Sequence, residues 1–370
     1  MTYNNRIELY KSIEDIRNRP LLVYVTSIRS NASGLIAPDI VSELAKQLIE
    51  IPKDKKEIDI LIISNGGDAL VSWRIICMLR ERFEKIGALL PYAAYSAATL
   101  IALGADEIIM HPFSNLGPVD PQLTYYKKEP GQAVPQKFHF GPEDLKYYLD
   151  FIKKDVGISD QKQLQNSFEI MCKDVGSIPI GIAKRVSHLS SSLSKKLLKT
   201  HMEDEDEVET IVESLNTSFY DHGYPLGKTE ARSIGLKVID PDDNLEKLMW
   251  NVWEDIENEM QCNWPFNPLE IILKDEEVSK LIETVSQIQI PQNLPPQLLQ
   301  NVYQKIIQSI NIKSIPPVEY ENFIAILEST RCRSEYKTKG KINALRMPDM
   351  NIKVNTIPIS QGWKFFKNED

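Results

Sequence analysis

Two short stretches hold residue types suited to acyl-transfer chemistry: Ser64-Asn65-Gly66-Gly67 and Tyr95-Ser96-Ala97-Ala98. Gly66 and Gly67 can adopt backbone dihedrals closed to other residues and present bare N–H groups. Ser96 supplies a hydroxyl. At a helix start it sits at the positive end of the dipole, beside the free amide of Ala97. Amides from Gly66, Gly67 and Ala97 would form an oxyanion hole around a carbonyl attacked by Ser96 Oγ, each donor contributing about 3–4 kcal/mol in the transition state. A glycine pair after a strand is common, and a serine before a helix is often only an N-cap. Their joint occurrence one crossover apart is what points to chemistry. Rival signatures are absent: Ala94 and Ala98 stand where G-x-S-x-G needs glycines, Ser96 has no S-x-x-K around it, and no phosphate loop occurs.

The positioning elements read as alternating strands and helices. Leu21–Thr26 is an apolar, β-branched run, and residues 38–48 have helical spacing. Residues 58–64 are too continuously apolar for a half-exposed strand and belong inside a parallel sheet. Residues 69–83 then read as a helix, 89–95 as a strand, 97–103 as a helix and 107–111 as a strand. Such a run builds a parallel sheet with right-handed crossovers. The ends of adjacent strands lie about 4.8 Å apart. The glycine pair and Ser96 thus meet on one rim, where open α/β sheets place ligands.

With 370 residues the chain has room for one large domain and more. A net charge of −9 argues against a nucleic-acid binder. Four scattered cysteines exclude a zinc ribbon or a CxxC site and suit a reducing, cytoplasmic setting. The N-terminal residues lack the apolar core of a secretory signal. The 20 residues from Ile86 to Ala105 carry no charge, long enough for a membrane span. Pro91, two glycines, Ser96 and Thr99 favour a buried strand followed by a buried helix, so membrane association is not expected. The acidic run 203–209 has no interleaved His or Cys and reads as a solvated helix start, not a metal site. No metal or organic cofactor is implied.

The expected organisation is an α/β core over residues 1–255, a Pro/Gln-rich helical connector over 256–317, and a small β-rich C-terminal appendage over 318–370. In the connector one helix is expected at 297–310. In the appendage short strands are expected at FIAIL, NIKVNTIPI and GWKFF, with a polar turn around Gly340.

The stretch from Ile58 to Gln122, with SNGGDALVSW and YSAATLIALGADEIIMHPFSNLGPVDPQ, resembles the serine dehydrogenase proteinase family. That family is related to signal peptide peptidase A and, more remotely, to the proteolytic subunit of Clp protease. Residues 219–238 (FYDHGYPLGKTEARSIGLKV) look like its closing motif, and the resemblance extends over about 21–238. It implies a ClpP/crotonase-like fold, ATP-independent peptidase activity on polypeptides and homo-oligomerisation. It also transfers the nucleophile to Ser96 and the oxyanion donors to Gly66, Gly67 and Ala97. The chain departs from the family pattern at Ala97-Ala98, where relatives usually carry a glycine.

A serine nucleophile needs a base. In signal peptide peptidases it is a downstream lysine, which must be desolvated to be neutral near pH 7; in Clp protease it is a histidine. Lys173 stands in a position similar to the peptidase lysine, and His222 lies in the DHGY motif; Lys137 and Lys146 follow. Asp120 falls near the place of the Clp histidine, suited to orienting a base. His111 reads as structural. Two other functions fit the same fold: an acyl-CoA enzyme using the oxyanion hole without a covalent serine, and a binding module without catalysis.

Overall fold

In the computed structural model, residues 3–127, 134–218, 221–283, 295–309, 315–347 and 351–368 are described. The chain opens with α1 (Tyr3–Arg17), β1 (Leu21–Thr26), α2 (Ile40–Glu50), β2 (Glu57–Ile63), α3 (Ala69–Arg80), β3 (Lys85–Leu90), β4 (Ala93–Ala94), α4 (Ala97–Leu103), β5 (Glu107–Met110) and β6 (Asn115–Leu116). A hairpin, β7 (Leu123–Lys127) and β8 (Gln136–Phe140), precedes α5 (Pro142–Asp150), α6 (Gln161–Val175), α7 (Ser177–Leu198) and α8 (Glu205–Glu213). Then come β9 (Leu226–Gly227), α9 (Lys228–Ser233), β10 (Val238–Ile239), α10 (Asp243–Met260), α11 (Pro268–Lys274), α12 (Glu276–Glu283) and α13 (Pro296–Ser309). The chain closes with β11 (Val318–Glu328), β12 (Cys332–Arg346) and β13 (Ile352–Lys367).

The expected mixed α/β core is present. Its main sheet has the order β10-β5-β3-β2-β1-β11-β12-β13, and the first five strands are parallel. The continuous apolar character of β1 and β2 follows from burial on both faces. On one face Leu22, Tyr24, Ile60 and Ile62 pack with α2, α3, α4, α7 and α8; on the other Leu21, Val23, Leu61 and Ile63 pack with α1 and α10. Residues 86–105 form β3, β4 and α4, and no described helix is long and apolar enough to cross a membrane. The acidic run opens α8, where Asp204 accepts hydrogen bonds from the Asp206 and Glu207 amides. Among the described residues no acidic, His or Cys cluster is arranged to hold a metal ion.

The C-terminal strands are continuous with the core sheet, since β11 pairs antiparallel with β1. Residue 255 falls inside α10. Gly340 lies within β12, not in a turn, and the two segments expected beyond it form the single strand β13. Ile310, the expected end of the connector helix, lies outside the described residues, as do Phe219 and Tyr220.

Arg6 ties these parts together. It is fully buried on α1 and bonds Asp255 (2.9 Å) and Glu259 (2.6 Å) of α10 and Glu328 (2.8 Å) of β11. Replacing Arg6 by Met strands those carboxylates, and a loss of about 3–5 kcal/mol is expected in urea unfolding. A loss under about 1 kcal/mol would show that the carboxylates find other partners.

Candidate active site

β2 and β3 are neighbouring parallel strands, and the chain leaving each is bridged to the other: Ser64 pairs with Ala94, with Ser64 N donating to Ala93 O (2.9 Å) and Tyr95 N to Ser64 O (2.9 Å). A Cβ added to Gly66 would stand 2.8 Å from Ser96 Cβ and 3.2 Å from Ala97 N. The glycine pair and the serine therefore meet, as their spacing predicts.

Each backbone there is unusual. Gly66 has φ +107° and Gly67 φ +149°. Ser96 has φ 54° and ψ −115°, a conformation costly for a residue with a Cβ. The N-cap explanation fails, because Ser96 makes no side-chain capping bond to α4. Its half-buried hydroxyl has no hydrogen-bond partner among the described residues.

The two glycines divide the work. The Gly66 amide donates to Ser64 Oγ (3.0 Å), which in turn accepts from Thr26 Oγ1 (2.7 Å). Gly66 is buried, and this engagement removes it from the expected oxyanion donors. Its role is to leave room for Ser96. Gly67 is exposed and pairs with Ile36: Ile36 N donates to Gly66 O (2.8 Å) and Asp68 N to Ile36 O (2.8 Å). Among the described residues no hydrogen bond engages the amide of Gly67 or of Ala97, the first residue of α4. A Cβ on Gly67 would lie 2.2 Å from Ile36 O, a backbone atom that cannot swing aside. Gly67→Ala is therefore expected to cost about 2–4 kcal/mol in stability and most of any activity, read by thermal unfolding beside hydrolysis. Unchanged values for both would mean that the Ile36 loop yields freely.

A second set of contacts links the chain before Ser96 to the segments that carry a histidine and a carboxylate. β4 pairs with β6, and β6 with β9. Thr99 Oγ1, fully buried, lies within hydrogen-bond distance of Ala94 O (2.8 Å) and Gly117 O (2.9 Å), to one of which its single proton goes, and accepts from Gly117 N (3.2 Å), fixing Gly117 beside Tyr95. Val119 is held through its amide to Leu215 O (2.9 Å) and through its carbonyl from Ser190 Oγ (2.5 Å). Counting on along the β6–β9 register sets Asp120 opposite His222. That pairing is made: His222 Nδ1 lies 2.9 Å from Asp120 Oδ1. Asp120 follows β6 by four residues, and β6's partner β4 ends two residues before Ser96. The hydrogen bond to Asp120 raises the His222 pKa above its usual 6.5, against the opposing effect of burial.

The other candidates make no bond to these residues among the described residues. Lys173 is exposed near the end of α6. Lys137 is exposed on β8, and Lys146 pairs with Glu143 (3.3 Å). His111 is buried, accepts the Phe113 amide (3.1 Å) at Nδ1 and stacks on Trp250. The roles of Ser64, Thr26, Thr99 and the Ile36 loop were not legible in the sequence, since a buried hydroxyl serving the backbone leaves no pattern.

Residues 39–174 match the family described as ClpP-like SDH-type serine proteinase. This span contains the glycine pair, Ser96 and Asp120, and ends before His222. Two uncharacterised proteins of Methanocaldococcus jannaschii are similar. MJ1495 is 28% identical over 197 residues, 53% of this chain and 57% of that protein. MJ0137 is 27% identical over 259 residues, 67% of this chain and 77% of that protein. The chain thus spans little more than half the length of the first. Among solved structures, a serine-to-alanine variant of the 1510-N membrane-bound stomatin-specific protease aligns with a TM-score of 0.35 at 19% identity, over 62% of this chain and 84% of that one.

Proposed function

We propose that this chain, matched over residues 39–174 to a ClpP-like serine proteinase family, is an ATP-independent serine peptidase with Ser96 as nucleophile. The observation that carries the reading is the backbone of Ser96: a positive-φ serine, with its hydroxyl unbonded, packed on Gly66 at the start of a helix. Structural serines rarely hold such strain, which is sustained where function uses it.

Ser96 Oγ attacks the scissile carbonyl, and the amides of Gly67 and Ala97 receive the developing oxyanion. His222 takes the serine proton. With Nδ1–H directed to Asp120, Nε2 carries the free lone pair, and the carboxylate stabilises the imidazolium that forms. His222 then returns the proton to the leaving amine, and water repeats the cycle on the acyl-enzyme. Asp120 thereby keeps the orienting role, while His222 replaces Lys173 as the base. Assembly into a homo-oligomer belongs to the same proposal.

Labelling by a fluorophosphonate tests it. Wild-type chain is expected to gain one phosphonyl group on the Ser96 peptide by mass spectrometry, and Ser96→Ala none. Coenzyme A binding without labelling would move the reading to an acyl-CoA enzyme.

A further inference from the structure

β13 ends the eight-stranded sheet. It pairs with β12, and no described strand lies on its other side. Its 16 residues leave a row of main-chain N–H and C=O groups facing outward. Residues 355–361 are all exposed, among them Ile357 (44%) and Ile359 (64%).

The charge on this edge opposes that of the molecule. The chain carries −9 overall, yet β13 holds Lys353, Lys364 and Lys367 and no acidic residue. Lys367 reaches Glu50 (2.7 Å). Lys353 and Lys364 are exposed and have no ion-pair partner among the described residues; nor has Lys341, which sits across from Ile357 on β12. Pairing two β13 edges would gather the lysines of both copies on one seam with no carboxylate between them, and like charges across a ladder are destabilising. Pro358 and the irregular register near Gly340 interrupt the edge for any added strand, so the choice between a second copy and another partner rests on the charge. An acidic strand meets the opposite situation.

The geometry points to β13 as a docking edge for an extended acidic peptide segment of a partner protein, added as a ninth strand. Main-chain hydrogen bonds supply the affinity and alternate side chains the choice. The partner's carboxylates meet Lys341, Lys353 and Lys364, and its apolar residues meet Ile357. Nucleic acid is the less favoured occupant because the exposed feature is an unpaired ladder, which a phosphate backbone does not extend.

The test uses the full chain carrying Ser96→Ala, so that hydrolysis cannot consume the probe and the outcome does not depend on the role of Ser96. The probe is a fluorescein-labelled peptide alternating Glu with Val, followed by fluorescence anisotropy. Saturable binding is expected. It should weaken at least about tenfold in the Lys353→Glu/Lys364→Glu variant, and equally when alternate probe amides are N-methylated. The second comparison leaves the protein unchanged, so it stands even if the variant misfolds. Equal binding of the N-methylated probe would overturn strand addition, leaving only charge attraction. Tighter binding of an oligothymidine would assign the edge to nucleic acid. Self-association of the parent chain in sedimentation, abolished by the double substitution, would assign it to a second copy.

Discussion

Ser96→Ala is expected to lower peptide hydrolysis by a factor on the order of 10⁶, as loss of a serine nucleophile does when base and oxyanion hole act as a unit with it. The residual rate reflects binding and the Gly67 and Ala97 amides alone. The strain at Ser96 makes the same position informative about stability. Alanine keeps a Cβ at φ 54°, whereas glycine adopts that conformation freely. Ser96→Gly should therefore be equally inactive yet about 1 kcal/mol more stable than Ser96→Ala in urea unfolding. A merely structural serine would give the stability difference without the kinetic loss. Casein or peptide hydrolysis surviving in both variants would assign catalysis to another residue.

Legibility in the sequence followed how much backbone geometry a residue type implies. The meeting of the glycine pair with Ser96 was legible because one crossover separates two parallel strand ends, whereas the bond that occupies the Gly66 amide was not. Strands β1 and β2 were legible because burial on both faces demands unbroken apolar runs. α1 was not: its buried face presents Tyr3, Arg6, Tyr10 and Ile13, and a buried arginine breaks the apolar stripe. β12 read as a turn because Lys337, Lys339, Gly340 and Lys341 look like loop composition, whereas Glu321 and Glu335 pair with the first two lysines in the ladder. The glycine is admitted by crowding, since a Cβ there would meet Ile357 O at 2.4 Å. Lys173 was named as a base from its position in the family alone, and it lies exposed on α6. His222 sits 102 residues beyond Asp120 and is delivered by two-residue strands that have no periodicity to detect.

The His222–Asp120 pair carries the other large expectation. His222→Ala should reduce kcat/KM by roughly 10⁵–10⁶, and Asp120→Asn by roughly 10⁴, because the carboxylate acts through the imidazole. Combining His222→Ala with Ser96→Ala should cost little more than either alone, which separates one catalytic unit from two independent injuries. The pH dependence has a definite sign. The base must be neutral to accept the serine proton, and its pKa lies above 6.5, so activity should rise with pH through that raised value. In Asp120→Asn the hydrogen-bonded carboxylate is gone and the acid limb should move to lower pH while its plateau drops. Stability runs the other way. A histidine whose folded pKa is raised stabilises the fold fully below its unfolded pKa, and that contribution fades as pH climbs through the folded one. A pair serving only the fold would show this stability trend with no acid limb in hydrolysis. Finding both, with the limb displaced by Asp120→Asn, identifies His222 as the group that moves the proton.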